Sequence, residues 1–395
     1  MKLLLAVDIG AVLVLALAGC VLFAQQSKQS SLPPTLTDES KVPAYTLPDP
    51  LILLNGAKVA DVDTWKNKRR PEILELFATH VYGHTMVGRP KEMTWEVGAL
   101  DPQGMEGAAI AKRVTIYFTG KKDGPKMELL VALPDTGGKP APVFLVPGDG
   151  SYQQAPLSRG YGLVAFNASM VEPNQKENTY AASIRKFFAP PGQTEAGLHE
   201  WGTIGAWAWA VSRAMDYLET DKDIDARKVC AMGHSRFGKT AMWAGAQDER
   251  LAIVFSCQAG CGGATIVRRG YGETVLKITT VFPNWFAPAF KEYSNRVNDL
   301  PVDWHMLVAL MAPRPVYISA ADKDTWADPR GQFLAAKNAD PVYRLFGKAG
   351  LGVDEMPKID VPVGDTIGYH NRQGKHAVAD FDWQQFLNFA DRHFH

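Results

Sequence analysis

The chain has 395 residues, in which 42 Lys and Arg are balanced by 42 Asp and Glu, and 46% of its residues are hydrophobic. A protein that binds nucleic acid or an anionic membrane through bulk charge carries a basic excess, so this balance disfavours both classes of partner. Because single hydrophobic cores stop growing at roughly 250–300 residues, the length predicts either two domains or one elaborated α/β domain plus processing segments.

The N-terminus has the pattern of an export signal. Lys2 supplies an early positive charge, and a mostly apolar run over 11–24 precedes polar residues. The run is shorter than the roughly 20 residues that span a membrane, so we interpret residues 1–24 as a signal peptide and expect no membrane span. Cleavage after Ala24 would release a secreted or periplasmic protein. Cleavage before Cys20, in the lipobox-like Leu17-Ala18-Gly19-Cys20, would instead leave a lipid-anchored protein of the outer membrane.

Residues 25–48 are rich in Ser, Thr, Pro and Gln and have no apolar period, which predicts a flexible tether. Residues 49–395 are then expected to form a single catalytic domain. Three cysteines follow the signal, Cys230, Cys257 and Cys261, so at most one intramolecular disulfide is possible. The sequence has no Cys-x-x-Cys pair or His/Cys cluster with zinc spacing, and we expect neither a metal nor a cofactor.

The first elements of the domain are a helix and a hairpin. Apolar residues recur at helical spacing between Trp65 and His84, and Gly83 ends the pattern. Residues 110–118 alternate in polarity, and Met127 to Leu133 follow after a short polar turn. Two such runs joined by a turn predict an antiparallel hairpin.

Short apolar runs and helical patterns then alternate. The runs are Val143–Val146, Leu163–Phe166, Val229–Met232, Ala252–Phe255 and Val316–Ile318. The helical patterns cover 205–218, 237–246, 329–337 and 380–393. Strands that are apolar on both faces belong in a parallel sheet covered by helices. The sequence therefore predicts an α/β-hydrolase fold, a three-layer sandwich with a mostly parallel central sheet and an antiparallel N-terminal hairpin.

The most informative segment joins the run at 229–232 to a helix through Gly233-His234-Ser235. A sharp strand-to-helix elbow of this kind presents a serine hydroxyl above the sheet, which makes Ser235 the candidate nucleophile. The second glycine of the motif is Gly238, one place later than in the usual Gly-x-Ser-x-Gly. The alternative is that Ser235 only caps the next helix, a common role of serine.

In this architecture the acid and the histidine follow the serine at later strand ends. Asp322, Asp324 and Asp328 share one loop after the last apolar run. Asp328 precedes a proline and a helical pattern, so it is the expected N-cap, and the other two remain candidates for the acid. His376 lies in a polar loop just before the final helix and is the candidate base, with His370 as its competitor.

Several segments also carry a family resemblance. They are Lys68–Ile73, His80–Gly83, Trp201–Trp209, Gly233–Lys239, Gly260–Ala264, Ala312–Tyr317 and Trp326–Pro329. Together they resemble the bacterial glucuronoyl esterases of carbohydrate esterase family 15, over most of the chain after the tether.

The resemblance implies a serine esterase, and we expect it to be a monomer without a cofactor. Its substrate would be the ester between 4-O-methyl-glucuronic acid of glucuronoxylan and a lignin alcohol. Ser235 matches the nucleophile that forms the acyl-enzyme, His376 matches the base, and Arg236 matches the arginine that stabilises the oxyanion. Three further positions match residues that hold the uronic acid ring: Lys239, Glu273 and Trp326.

One position departs from the family pattern. Gln258 stands where many members carry the glutamate of the triad. A neutral amide can orient an imidazole but does not stabilise its cation as a carboxylate does. Asp324 matches an alternative acid site of bacterial members, so we predict Asp324 as the acid, with Asp322 in reserve. Two rival hypotheses are another carbohydrate esterase, such as an acetyl xylan esterase, and a catalytically impaired carbohydrate-binding protein.

Overall fold

The computed structural model describes residues 32–149, 154–174 and 180–394. The predicted signal peptide, including Cys20, lies outside the described residues, as do residues 25–31 of the predicted tether. Within the described part, no helix combines the length and the apolar character that a membrane crossing needs.

A ten-stranded sheet forms the centre of the molecule. Its strands are β1 (Thr94–Val97), β2 (Asp101–Gly104), β3 (Ala109–Tyr117), β4 (Lys126–Leu133), β5 (Ala141–Gly148), β6 (Gly162–Asn167), β7 (Ile224–His234), β8 (Ile253–Cys257), β9 (Val316–Ala321) and β10 (Ile367–Arg372). They are ordered β1-β3-β4-β6-β5-β7-β8-β9-β10, with β2 paired to β3. Strands β5 to β10 are parallel, whereas β3 and β4 form the predicted antiparallel hairpin. The predicted fold class is confirmed.

Strands β1, β2 and β10 were not predicted, and β10 shows why. All of its residues are buried, yet half of them are polar, so the sequence contains no continuous apolar run. Two of these polar side chains share one buried carboxylate. His370 Nε2 lies 2.9 Å from Asp382 Oδ1, and Arg372 Nε donates to Asp382 Oδ2 at 2.6 Å. Buried polar groups are tolerated when they are paired in this way, but such pairing is not visible in an apolar pattern.

The α-helices of five or more residues in the described part are α1 (Arg70–Phe77), α2 (Ile184–Phe188), α3 (Thr203–Leu218), α4 (Arg236–Gln247), α5 (Val275–Val281), α6 (Trp304–Ala309), α7 (Pro329–Leu345) and α8 (Asp380–Phe394). Helical turns on either side of α1 extend it from Val62 to Tyr82, close to the predicted helix. Helix α7 is longer than the predicted 329–337. The missed part contains Pro341, which disfavours a helix interior, but Val342 and Tyr343 are fully buried there and stabilise it by packing.

Alternate side chains of the parallel strands pack on opposite faces of the sheet. On one face, Phe144, Phe255 and Tyr317 pack with aromatic residues of α8. On the other face, Leu145 and Val254 belong to a larger core that includes α3, α4 and α7. This arrangement gives the three predicted layers and leaves the carboxyl ends of the strands free to carry side chains, which is where open α/β sheets bind ligands.

Part of the predicted tether contacts the body of the protein. Lys277 Nζ donates to Thr35 Oγ1 at 2.6 Å, the Gly272 amide donates to the Leu36 carbonyl at 2.8 Å, and Arg269 Nη2 donates to Glu39 Oε2 at 2.6 Å. These contacts use backbone groups and charges, so the lack of an apolar period could not reveal them. The segment lies against residues 269–277, which include the predicted substrate-binding Glu273.

The three described cysteines, Cys230, Cys257 and Cys261, are buried and free. Burial raises the pKa of each thiol well above its ordinary value, so these groups remain protonated. Within residues 32–149, 154–174 and 180–394, no group of three or more His, Cys, Asp or Glu side chains could hold a metal ion.

Candidate active site

The loop between β7 and α4 forms the predicted elbow. Ser235 has φ +57° and ψ −122°, a strained conformation for a residue with a side chain. A Cβ on Gly233 would lie 2.0 Å from the Phe237 carbonyl oxygen, and one on Gly238 would lie 3.0 Å from the Gly233 carbonyl oxygen. The turn therefore leaves little room for a side chain at either position. This explains why a glycine stands at 238, one place later than in the usual motif. Although Ser235 occupies the N-cap position, its side chain makes no capping hydrogen bond, so the helix-capping alternative is not supported.

The candidate acid and the candidate base meet at the ends of neighbouring strands. Asp324, after β9, is buried, and its Oδ2 lies 2.6 Å from Nδ1 of His376, which follows β10. A carboxylate only accepts hydrogen bonds, so Nδ1 carries the proton and Nε2 is the nitrogen left for a nucleophile. Ser235 and His376 line the same pocket, and no hydrogen bond joins these two described side chains. Such contacts commonly shorten when substrate binds.

The other candidates for acid and base have different partners. Asp322 Oδ1 accepts from the Gly374 amide at 2.6 Å and thereby shapes the loop that carries His376. Asp328 caps α7, as predicted, by accepting from the Gly331 amide. His370 is fully buried against Asp382. The structure therefore brings Asp324 and His376 together and leaves the reserve candidates in structural roles.

Gln258 contacts the catalytic loop through its main chain. Its Nε2 donates to the Ala377 carbonyl at 2.7 Å, and its Oε1 accepts from the Ala377 amide at 2.9 Å. The residue is buried and has φ +50°. Gln258 is thus linked to the residue after His376, whereas the carboxylate that contacts the imidazole comes from Asp324.

A second histidine lies next to the candidate base, His376. The ring centroids of His234 and His376 are 4.5 Å apart. Burial, together with the neighbouring His376, lowers the pKa of His234 to about 4. His234 is therefore neutral near pH 7 and adds no positive charge beside an imidazolium formed at His376.

Arg236 places a cation beside the candidate nucleophile, Ser235. Its Nη2 lies 3.7 Å from Asp149 Oδ2, and its guanidinium lies 4.7 Å from the centroid of the Phe237 ring. Its buried Nε has no hydrogen-bond partner among the described residues. Burial lowers the pKa of Arg236, but the ordinary pKa of arginine is so high that the side chain stays charged at neutral pH. The side chain can therefore donate hydrogen bonds to negative charge that forms next to Ser235.

A pocket of about 550 Å³ adjoins the nucleophile. It is lined by Asn174, Ser235, Arg236, Lys239, Gln258, Ala259, Gly260, Glu273, Phe282, Trp285, Asp324, Trp326, Ala327 and His376. Lys239 Nζ and Glu273 Oε2 are both buried in its wall, 3.7 Å apart. Burial raises the pKa of Glu273, and Lys239 partly opposes this rise. Trp326 is 41% exposed, so part of its indole ring is open to a ligand. The three predicted sugar-binding residues thus line one pocket with Ser235.

The sequence did not identify three further residues of this pocket. Phe282 and Trp285 stack with ring centroids 3.8 Å apart, and Trp285 Nε1 donates to Asn174 Oδ1 at 3.1 Å. The sequence contains ten tryptophans, but composition does not separate core rings from pocket rings. The fully buried core tryptophans are Trp65, Trp201, Trp207, Trp243 and Trp304.

A second recess, of about 290 Å³, lies beside the same reactive residues. It shares Ser235, Arg236 and His376 with the larger pocket, and apolar side chains such as Met232 and Trp383 complete its wall. The reactive centre therefore lies between a larger pocket that contains the Lys239–Glu273 pair and a smaller recess that contains Met232 and Trp383.

Comparisons with known proteins agree with this geometry. The family model described as fungal glucuronyl esterase matches residues 116–347. The chain is 40% identical to carbohydrate esterase MZ0003 from an unknown prokaryotic organism, over 90% of this chain and 91% of that protein. It is 29% identical to the 4-O-methyl-glucuronoyl methylesterase of Hypocrea jecorina, over 90% of this chain and 70% of that protein.

A solved structure agrees as well. The glucuronoyl esterase from Solibacter usitatus superposes with a TM-score of 0.86 at 44% identity, covering 90% of this chain and 100% of that one. The elbow, the acid–base pair and the lined pocket thus occur in a chain whose relatives are esterases throughout its length. The chain belongs to the glucuronoyl esterases of carbohydrate esterase family 15.

Proposed function

We propose that this protein is a serine esterase that cleaves the ester between 4-O-methyl-glucuronic acid of glucuronoxylan and an alcohol, in nature a lignin alcohol. One observation carries the proposal. Ser235 and the Asp324–His376 pair line the same pocket as Lys239 and Glu273, so the reacting groups adjoin a pocket of sugar size with a charged pair in its wall.

The proposed reaction has two halves. His376 accepts the proton of Ser235 Oγ while that oxygen attacks the ester carbonyl, and Asp324 stabilises the imidazolium that forms. Arg236 donates to the oxyanion of the tetrahedral intermediate. The intermediate collapses, the alcohol leaves with the proton from His376, and the uronoyl group remains on Ser235. Water, activated by His376, then attacks the acyl-enzyme and releases the free uronate.

Recognition of the sugar fits the charges of the pocket. An esterified uronate carries no charge, so its site does not need an unpaired cation. Lys239 and Glu273 offer one donor group and one acceptor group, which suits vicinal sugar hydroxyls. The partly exposed indole of Trp326 supplies an apolar face for the ring. The balanced charge of the whole chain is compatible with such a substrate.

The second recess suits the other side of the ester bond. If the uronoyl group occupies the larger pocket, with Lys239 and Glu273, the alcohol extends past His376, the residue that must protonate it. The recess there presents Met232, Trp383 and other apolar side chains. This arrangement supports an alcohol with an apolar body.

One assay separates the proposed function from its rivals. Purified protein is offered the benzyl ester of glucuronic acid and, separately, p-nitrophenyl acetate. We expect a larger kcat/KM for the glucuronate ester. A strong preference for the acetate would favour an acetyl esterase, and no turnover of either ester would favour the binding protein.

The tryptophan at the pocket provides a prediction about substrate binding. We expect Trp326→Ala to raise KM for benzyl glucuronate about tenfold, or ~1.4 kcal/mol, because the ring loses an apolar partner. Turnover of p-nitrophenyl acetate should be unchanged, since acetate has no ring to bind. Leu54→Ala is the matched control, because Leu54 is 66% exposed and lies outside the pocket. An unchanged KM in Trp326→Ala would remove Trp326 from the sugar site.

A further inference from the structure

Gln258 occupies the position where the family resemblance leads one to expect a triad acid, and the structure gives it a different task. We infer that Gln258 is a positioning residue that sets the location of the His376 imidazole by holding the main chain of Ala377. This inference rests on the proposed function only in taking His376 as the base.

Both polar groups of the Gln258 side-chain amide bind the main chain of Ala377. The Gln258 side chain donates from Nε2 to the Ala377 carbonyl and accepts at Oε1 from the Ala377 amide, at 2.7 and 2.9 Å. Each residue other than proline offers one main-chain donor and one main-chain acceptor, and a side-chain amide carries one group of each kind, so it can satisfy both at once. An ionised glutamate in the same place would accept from the amide but would direct a second acceptor at the carbonyl oxygen. The substitution of Gln for the expected Glu therefore suits main-chain recognition.

The imidazole depends on its backbone for position. The His376 side chain is 40% exposed, so packing alone does not fix it, and its side-chain hydrogen bond within the described part is the one to Asp324. Gln258, in contrast, is buried, and its main-chain N–H donates to the Ser319 carbonyl of β9 at 2.8 Å. A rigid residue thus holds a loop whose functional side chain is exposed.

Residues that follow two neighbouring strands support the base in different ways. Asp324, after β9, places a negative charge next to the imidazole. Gln258, after β8, holds the main chain of Ala377, the residue that follows His376. Arg372 Nη2 also donates to the Ala377 carbonyl, so this oxygen has two donors. The division explains how an acid at position 258 can be absent while the geometry of His376 is maintained.

The test uses Gln258→Met, which keeps the length and volume of the side chain but removes both hydrogen bonds. A displacement of about 1 Å at a reacting group can cost about 100-fold, so we expect kcat for benzyl glucuronate to fall about 10- to 100-fold. KM should stay within about twofold, because Lys239, Glu273 and Trp326 are untouched. If Gln258 had only a structural role, its substitution would lower the melting temperature but would not lower kcat at an unchanged KM.

The matched control is Tyr343→Phe. It also removes a buried side-chain donor to a carbonyl, that of Arg314 at 2.9 Å, but at the opposite end of β9 from the reactive residues. We expect it to lower the melting temperature and to leave kcat unchanged. An equal fall of kcat in both variants would overturn the inference, because the effect would then follow from lost stability.

A second readout does not depend on the sugar. Diisopropyl fluorophosphate transfers its phosphoryl group to an activated serine and releases fluoride, without any uronate site. We expect Gln258→Met to slow inactivation at Ser235 by about the same factor as kcat. If the wild-type protein failed to cleave glucuronate esters but Gln258→Met still slowed inactivation, the proposed substrate would be wrong and the positioning role would stand.

The inference is overturned if Gln258→Met shows wild-type kcat and a wild-type inactivation rate. Should this variant fail to fold, Gln258→Asn decides the question. Asparagine tolerates a positive φ and keeps the amide, but it is one methylene too short to reach both groups of Ala377. A folded Gln258→Asn with full turnover would equally contradict the role proposed for Gln258.

Discussion

Ser235→Ala is expected to abolish hydrolysis of benzyl glucuronate, with kcat reduced about a million-fold, or roughly 8 kcal/mol in the barrier. The physical reason is that covalent catalysis stops altogether once the attacking oxygen is removed. The variant should still fold. The Ser235 side chain makes no capping hydrogen bond that would be lost, and alanine adds no bulk to a residue with φ +57°.

The measurement is steady-state turnover of the ester together with circular dichroism of the variant. Ser256→Ala is a suitable control, because Ser256 is buried on the neighbouring strand β8 and its hydroxyl has no partner among the described residues. This control should keep turnover within about twofold, as expected for a substitution outside a network. Turnover near the wild-type level in Ser235→Ala would show that another residue is the nucleophile.

The parts of the site that could be predicted are those that local chain geometry determines. An apolar strand followed directly by Gly-His-Ser and a helix already predicts the elbow at Ser235. The order of strand ends points to His376 and to the loop that carries Asp322 and Asp324, and the family resemblance selects Asp324. The structure also separates candidates that the order alone left open. His370 belongs to β10 and is fully buried against Asp382, whereas His376 lies on the loop beyond that strand.

Other features could not be predicted because they arise from contacts between distant segments. The pairing of Gln258 with Ala377 joins residues 119 positions apart, and a side-chain amide alone does not reveal its partner. The contacts of Thr35 and Glu39 with residues 269–277 join segments more than 200 positions apart. In both cases polar groups and backbone make the contact, and these leave no periodic pattern in the sequence.

The variant Asp324→Asn tests whether Asp324 supplies the negative charge of the triad. We expect kcat to fall about 10,000-fold, the scale of the comparable change in a serine protease triad. Asparagine preserves the shape of the side chain. It does not stabilise the imidazolium, however, and its amide can favour the tautomer that leaves Nε2 protonated. Asp322→Asn is the matched control, because its Oδ1 can still accept from the Gly374 amide, and it should retain most of the turnover.

A second variant tests the acid assignment from the other side. Gln258 contacts the main chain of Ala377, whereas Asp324 contacts the imidazole of His376, so the two residues can be compared directly. If Asp324→Asn were silent while Gln258→Ala were crippling, the amide at 258 would be the essential partner of His376, and Asp324 would lose the role of the acid.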